Sequence, residues 1–309
     1  MSNFNPESYF QLDVDAPLFR ALYSEKPSWW EVVKNDSRVY INIRKGGYIN
    51  VYCRGESIMK LEYSRGNYRS TTNTYYLSDK EKKGKVVQLS PDVIVKRLDE
   101  IVDRMLRRRP VGKEEGDSEE GIKGELFLSG KYIDTEFAYM RRARPSEIES
   151  RKKRIKPGTE HRISQYAQDR IDLIRVDNGA IQYVELKRIS DPRLNKHNRE
   201  YGQEAEIIEQ LNDYQFIIDT YKDKILTYYQ SLQQVMKALG IKNQVVNQQI
   251  TRVSDFVELY IAGYNDGKAF NQKRHNRILT LQKLLIDNNF SHSNIDTVLN
   301  NYLLLKKHK

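Results

Sequence analysis

Asn178-Gly179 separates two runs rich in β-branched and aliphatic residues, Ile171 to Val176 and Ala180 to Leu186. Asn-Gly between such runs is the strongest short-range signal for a β-hairpin with a two-residue turn. A hairpin of this kind fixes its own register. Asp177 faces Ala180, and counting back along both strands sets Asp172 directly opposite Glu185. Opposed residues of an antiparallel pair have Cβ atoms roughly 4.5–5.5 Å apart, and side chains two apart on a strand share a face. Glu185 and Lys187 therefore point the same way, toward Asp172. Two carboxylates this close repel unless a cation lies between them, and hard divalent cations take oxygen ligands. The segment reads as a metal site with a lysine beside it, where a charged strand end would otherwise be expected to be solvated.

The rest of the chain is compatible with such a site. Its 309 residues, 39% of them hydrophobic, suffice for one large domain or two small ones with a sizeable core. No stretch approaches the ~20 consecutive apolar residues of a membrane span. The opening MSNFNPESYFQLDVD lacks the basic and apolar regions of a secretory signal. A lone cysteine, Cys53, excludes an internal disulfide framework and a cysteine-based zinc site, so a cytoplasmic location without membrane attachment is expected. Net charge is +10. Lysine and arginine cluster in RMLRRRP (104–110), MRRARP (140–145) and RKKRIK (151–156), which suits a nucleic acid partner, although such runs are as often solvated faces. The 21 tyrosines can stack on bases, but this residue more often packs in a core.

Along the chain, a short helical opening around APLFRALYSEKPSWWEVVK precedes RVYINIRKG, YINVYCRG and ESIMKLEYSRG, which alternate apolar and polar residues like an antiparallel meander that Thr71 to Leu77 continues. Ser90-Pro91-Asp92 caps a helix whose apolar face, Ile94, Leu98, Ile101 and Met105 with Val95, Val102 and Leu106, runs to about Arg108. The glycine-rich, acidic segment 110–124 reads as a mobile loop. KYIDTEFAYM (131–140) reads as a strand, 204–228 as a helix, DFVELYIAGY (255–264) as a buried central strand, and everything from about Gln272 as helical. The order gives an α/β fold: a mixed sheet flanked by helices, with an N-terminal β-rich α+β region. Domains are expected at 1–90, a recognition or regulatory module, and at 91–309.

Asp172, then Glu185-Leu186-Lys187 on the next strand, then a helix carrying Gln210 and Tyr214 in EQLNDYQ, resembles the PD-(D/E)XK nuclease superfamily and the QxxxY motif of its exonuclease branch. Gln210 and Tyr214, four apart, share a helix face. The resemblance covers about residues 125–265; Ile171 stands where the pattern has proline. It implies a restriction-endonuclease-like core in which Asp172, Glu185 and the Leu186 carbonyl hold Mg²⁺ or Mn²⁺. Lys187 would orient or deprotonate the attacking water, and Gln210 and Tyr214 would position that water or the scissile phosphate. For the upstream acid that completes such sites, and would also ligate the metal, Glu136 is the candidate, on one strand face with Asp134; Glu120 and Glu100 are rivals. His161 lies in a polar loop and reads as structural or solvent-exposed. Arg107, Arg108, Arg109, Arg141, Arg142 and Arg170 are the candidate phosphate contacts. The function implied is a magnesium-dependent deoxyribonuclease, with restriction, phage defence and repair all open, and a homodimer would suit a double-strand cutter. A catalytically silent nucleic-acid-binding or protein-interaction module is the alternative. An enzyme acting on a small phosphorylated ligand is disfavoured, because the chain has no P-loop or GxGxxG.

Overall fold

The structure, a computed structural model, describes residues 5–78, 80, 84–108, 118–154, 166–194, 206–262, 272–292 and 302–307. It is a mixed α/β fold with two sheets, one antiparallel and one mixed, flanked by helices. Helices α1 (Pro17–Glu25) and α2 (Ser28–Asn35) come first and bury Leu18, Phe19, Leu22, Trp30 and Val33. Strands β1 (Tyr40–Arg44), β2 (Tyr48–Cys53), β3 (Glu56–Ser64), β4 (Asn67–Asn73) and β5 (Val86–Leu89) then form a five-stranded meander in sequential order.

Strand alternation divides this first sheet into two unlike faces. Ile43, Ile49 and Leu61 oppose one another across β1, β2 and β3, as do Ile41, Val51 and Met59, and all six are buried. One residue out of phase, Asn42, Asn50, Lys60, Thr71 and Gln88 make a polar row across all five strands. The expected strand over Thr71 to Leu77 ends at Asn73, where α3 (Thr74–Leu77) begins before β5 resumes the meander; the Asn73 side chain accepts from the Tyr75 N–H. The helix expected from the Ser90-Pro91-Asp92 cap to about Arg108 is two helices, α4 (Pro91–Val95) and α5 (Leu98–Arg108). Arg97, at the turn between them, donates to the Leu77 carbonyl at 2.6 Å. Both helices pack on the first sheet's layer, against α2, α3 and β4.

Helix α6 (Glu119–Leu126) corrects the expectation of a loop over 110–124, of which 110–117 lie outside the described residues. Ser118 caps it, its hydroxyl accepting from the Gly121 N–H at 3.1 Å. Two glycines inside the segment, Gly121 and Gly124, argue against a helix by propensity; close packing explains the second of them. A Cβ on Gly124 would lie 2.8 Å from the Gly55 nitrogen, and one on Gly55, at φ +78°, would lie 1.8 Å from the Glu120 carbonyl oxygen. Gly55→Ala is therefore expected to cost at least ~2 kcal/mol, from overpacking and a left-handed alanine together, and to push α6 outward. Urea unfolding measures the cost; a change under ~0.5 kcal/mol would show that this contact does not hold α6.

The second sheet contains β6 (Tyr132–Arg142), β7 (Tyr166–Asp177), β8 (Ala180–Arg188), β9 (Arg252–Ala262), β10 (Phe290–His292) and β11 (Tyr302–Lys307), in the order β10-β11-β9-β8-β7-β6. Helix α7 (Pro145–Arg154) joins β6 to β7, and α9 (Gln272–Asp287) follows β9. Among the described strands only β8 and β9 run parallel, and the crossover between them carries α8 (Glu206–Ala238), a 33-residue helix irregular at Tyr221. The run expected as a buried strand is β9, with Val257, Leu259 and Ile261 buried. The chain does not stay helical to its end, because LLLKK lies in β11, where Leu303 pairs with Leu259. Three consecutive leucines suit a helix or a buried strand equally, and pairing with β9 decides between them. Apolar side chains of both sheets join in one cluster that includes Val51, Ile174, Tyr183 and Ile217. Among the described residues no helix is long and apolar enough to cross a membrane.

Candidate catalytic site

Asn178 and Gly179 have φ of +48° and +75°, the backbone of a tight hairpin turn. Pairing runs from Asp177–Ala180 to Leu173–Val184, the register expected from the sequence, and one further step sets Asp172 beside Glu185. The Asp172 Oδ2 accepts from the Leu186 N–H at 3.0 Å. Glu185 and Lys187 are each only 1% exposed. The Lys187 ammonium touches Glu185 Oε1, donates to the Leu186 carbonyl at 3.1 Å and lies 4.0 Å from Asp172 Oδ2. Burial, and then the neighbouring Asp172, push the Glu185 carboxyl up to about 7, against the pull of Lys187 and Tyr214. Burial works against the charge on Lys187, yet Glu185 and Asp172 outweigh it and hold the ammonium above its ordinary value.

Glu136 reaches this site through an irregularity. The β6–β7 register shifts between Tyr132 and Asp134, and Glu136 itself has φ +52°. It lies between the pairs Thr135–Leu173 and Phe137–Ile171, opposite Asp172. Asp134 is buried instead against Arg44, at 3.0 Å, and burial pushes its carboxyl up to about 6 despite that partner. Of the rivals, Glu100 of α5 pairs with Arg97, and the Glu120 backbone contributes to the contact with Gly55.

Two residues of α6 complete the cluster, and neither was among the sequence candidates. The Lys123 Nζ lies 3.3 Å from Glu136 Oε1 and 3.3 Å from Asp172 Oδ1. Glu119 pairs with Arg193 at 3.3 Å, and burial raises its carboxyl although Lys187 and Arg193 draw it down. The sequence signal that could have found both was the capping serine with acidic residues behind it, SEEGIKGEL.

On α8, the Tyr214 hydroxyl lies 2.5 Å from Glu185 Oε2 and 2.7 Å from the Arg170 carbonyl oxygen. A phenol carries one proton and cannot donate to both. If it donates to Arg170, the short contact to Glu185 requires a proton on the carboxyl, consistent with a Glu185 value near neutrality. Gln210, one turn earlier, has a buried Oε1 without a hydrogen-bond partner among the described residues. It lines a cavity of about 380 Å³ with Gln168, Asp169, Arg170, Asp213 and Tyr214.

Of the expected phosphate contacts, Arg170 is exposed at the rim of this cavity. Arg141 is drawn into a carboxylate network with Glu147 at 2.8 Å, Asp169 at 2.5 Å and Asp213 at 3.2 Å. Arg107 is exposed on α5. Arg109 and His161 lie outside the described residues, as do the side chains of Arg108 and Arg142.

The oxygen donors here, Glu136, Asp172, Glu185 and the Leu186 carbonyl, are those a hard cation prefers. Lys123 stands as a stand-in cation between the first two, and Lys187 holds the other two. Among the described residues, no three Asp, Glu, His or Cys side chains are gathered closely enough to cage a metal by themselves. No family model matches the chain, and no curated protein or solved structure matches it.

Proposed function

We propose that the protein is a metal-dependent nuclease that hydrolyses phosphodiester bonds in DNA. The observation that carries this reading is the meeting of Asp172, Glu185 and Lys187 on β7 and β8, with Tyr214 of α8 bonded to Glu185. The order α6, β6, α7, β7, β8, α8, β9, with β9 parallel to β8, is compatible with the mixed, helix-flanked sheet that the PD-(D/E)XK resemblance implies. Asp172, Glu136, Glu185 and the Leu186 carbonyl would hold Mg²⁺ or Mn²⁺, which when bound supplies Lewis acidity and a more acidic water. Lys187, cationic and excluded from solvent, would orient the attacking water and offset negative charge gathering on the phosphate. Tyr214 fixes the Glu185 carboxyl, and Arg170 would draw the phosphate to the rim.

One observation favours a second reading, a nucleic-acid-binding module without catalysis: both lysines already neutralise the carboxylates. Incubating the protein with linear, circular and single-stranded DNA and with RNA, in Mg²⁺, Mn²⁺ or chelator, separates the two. Metal-dependent cutting supports the nuclease; salt-sensitive binding without cutting supports the module. In the first case Asp172→Asn is expected to lower the rate by ~10²-fold or more and to weaken the metal dependence. An unchanged rate would remove Asp172 from the site.

A further inference from the structure

A second cavity, of about 310 Å³, opens between the polar face of the first sheet and the β6–β7 pair. Tyr48, Asn50 and Tyr52 enter it from β2, and Tyr9 from the N-terminal segment. On its other side are Glu136 and Arg170, so the cavity adjoins the catalytic cluster and shares Arg170 with the Gln210–Tyr214 cavity. Cations accompany the rings: the Lys45 Nζ is 3.6 Å from the Tyr9 ring centre, and the Lys60 Nζ is 4.5 Å from that of Tyr48. Of the carboxylates facing the cavity, Asp134 is paired with Arg44 and Glu136 with Lys123. An anion can therefore approach a wall that is basic and aromatic.

Size and lining together restrict the occupant. Aromatic faces beside cations suit a nucleobase and its phosphate, a combination used wherever unpaired strands are held without sequence preference. A cavity this small admits one unstacked nucleotide and excludes a paired, stacked duplex. We infer that this cavity receives one unpaired nucleotide of a single DNA strand, its base against the tyrosines and its phosphate toward Arg170. The first sheet thus serves as the strand-holding half of the site, and its polar row through Asn50, Lys60 and Thr71 extends the track outward. The assignment rests on the nuclease reading for the identity of the strand.

Binding in chelator tests it without requiring cleavage. By fluorescence anisotropy, a short labelled single strand is expected to bind at least ~10-fold more tightly than a blunt hairpin of the same sequence. Tyr48→Ala is expected to weaken strand binding by ~5–100-fold, and Tyr48→Phe, which keeps the ring, by less than ~3-fold. Lys60→Glu, on a half-exposed position, should weaken it too and lower its salt dependence while keeping the Tyr48 ring. Equal affinity for hairpin and strand, or strand binding indifferent to both Tyr48→Ala and Lys60→Glu, would overturn the inference. So would tight binding of a free deoxynucleoside monophosphate with no binding of the strand. Metal-dependent cleavage with no strand preference would leave the nuclease standing and this inference fallen; strand binding without cleavage would do the reverse.

Discussion

Lys187→Met should lower DNA cleavage by about 10²–10⁴-fold while leaving DNA binding within a few-fold of the wild type. The expectation follows from where the ammonium sits. Lys187 is buried in β8, touches Glu185, and lies 4.0 Å from Asp172, so its charge acts on the carboxylates and on whatever they hold. Methionine nearly fills the lysine stem's volume without the charge, so the central strand stays packed. Truncation to alanine would add a cavity between the two layers and confuse lost chemistry with lost stability. The partner left behind is Glu185, which keeps Tyr214 at 2.5 Å and can hold a proton in this setting. Far-ultraviolet circular dichroism and a melting curve check the fold, and single-turnover cleavage with excess enzyme checks the chemistry. Wild-type cleavage by a folded Lys187→Met protein would take Lys187 out of the reaction. An equal loss in binding and cleavage would assign it to holding the strand instead.

The hairpin that carries Asp172, Glu185 and Lys187 was legible because its information is local. An Asn-Gly turn sets register, and register sets which side chains oppose. Glu136 was legible as a candidate because it lies on the neighbouring strand, but its left-handed backbone and the shift near Asp134 were not. Such an irregularity depends on what packs beneath, here Arg44 from the first sheet drawing Asp134 inward. Lys123 and Glu119 escaped because α6 is held by a contact distant in sequence, between Gly124 and Gly55, while glycine content by itself spoke for a loop. Arg141, counted among basic residues by its neighbours in the chain, is claimed by Asp169 of the next strand and Asp213 of α8. The C-terminal strand was hidden for a related reason. Whether leucines coil or extend depends on an open strand edge nearby, and only the assembled sheet offers β9 as that edge.

Arg175→Met should destabilise the protein more at pH 8 than at pH 5, by up to about 1.4 kcal/mol through the Glu258 carboxyl. Glu258, in the middle of β9, is 1% exposed, and the Arg175 guanidinium on β7 reaches it across β8. Burial pushes the Glu258 carboxyl up to about 7 even though Arg175 draws it down, while an unfolded glutamate titrates near 4.5. Because the folded value is the higher one, the folded protein binds the extra proton between these limits. Stability from this group is therefore fully present below about pH 4.5 and is lost as pH rises through about 7. In the wild type the loss is on the order of 3 kcal/mol across that interval. Without Arg175 the carboxyl loses its largest countervailing charge, its value climbs further, and the decline continues to higher pH. Glu258→Gln removes the titration, so it should flatten the pH dependence in both backgrounds and recover most of the stability that Arg175→Met loses at pH 8. Urea unfolding of the four proteins at pH 5 and pH 8 forms a double-mutant cycle. Equal losses at the two pH values would mean that Arg175 acts through packing of its stem, and a failure of Glu258→Gln to rescue would mean that its charge is held for some other carboxylate, of which Asp177 at 3.7 Å is the nearest candidate.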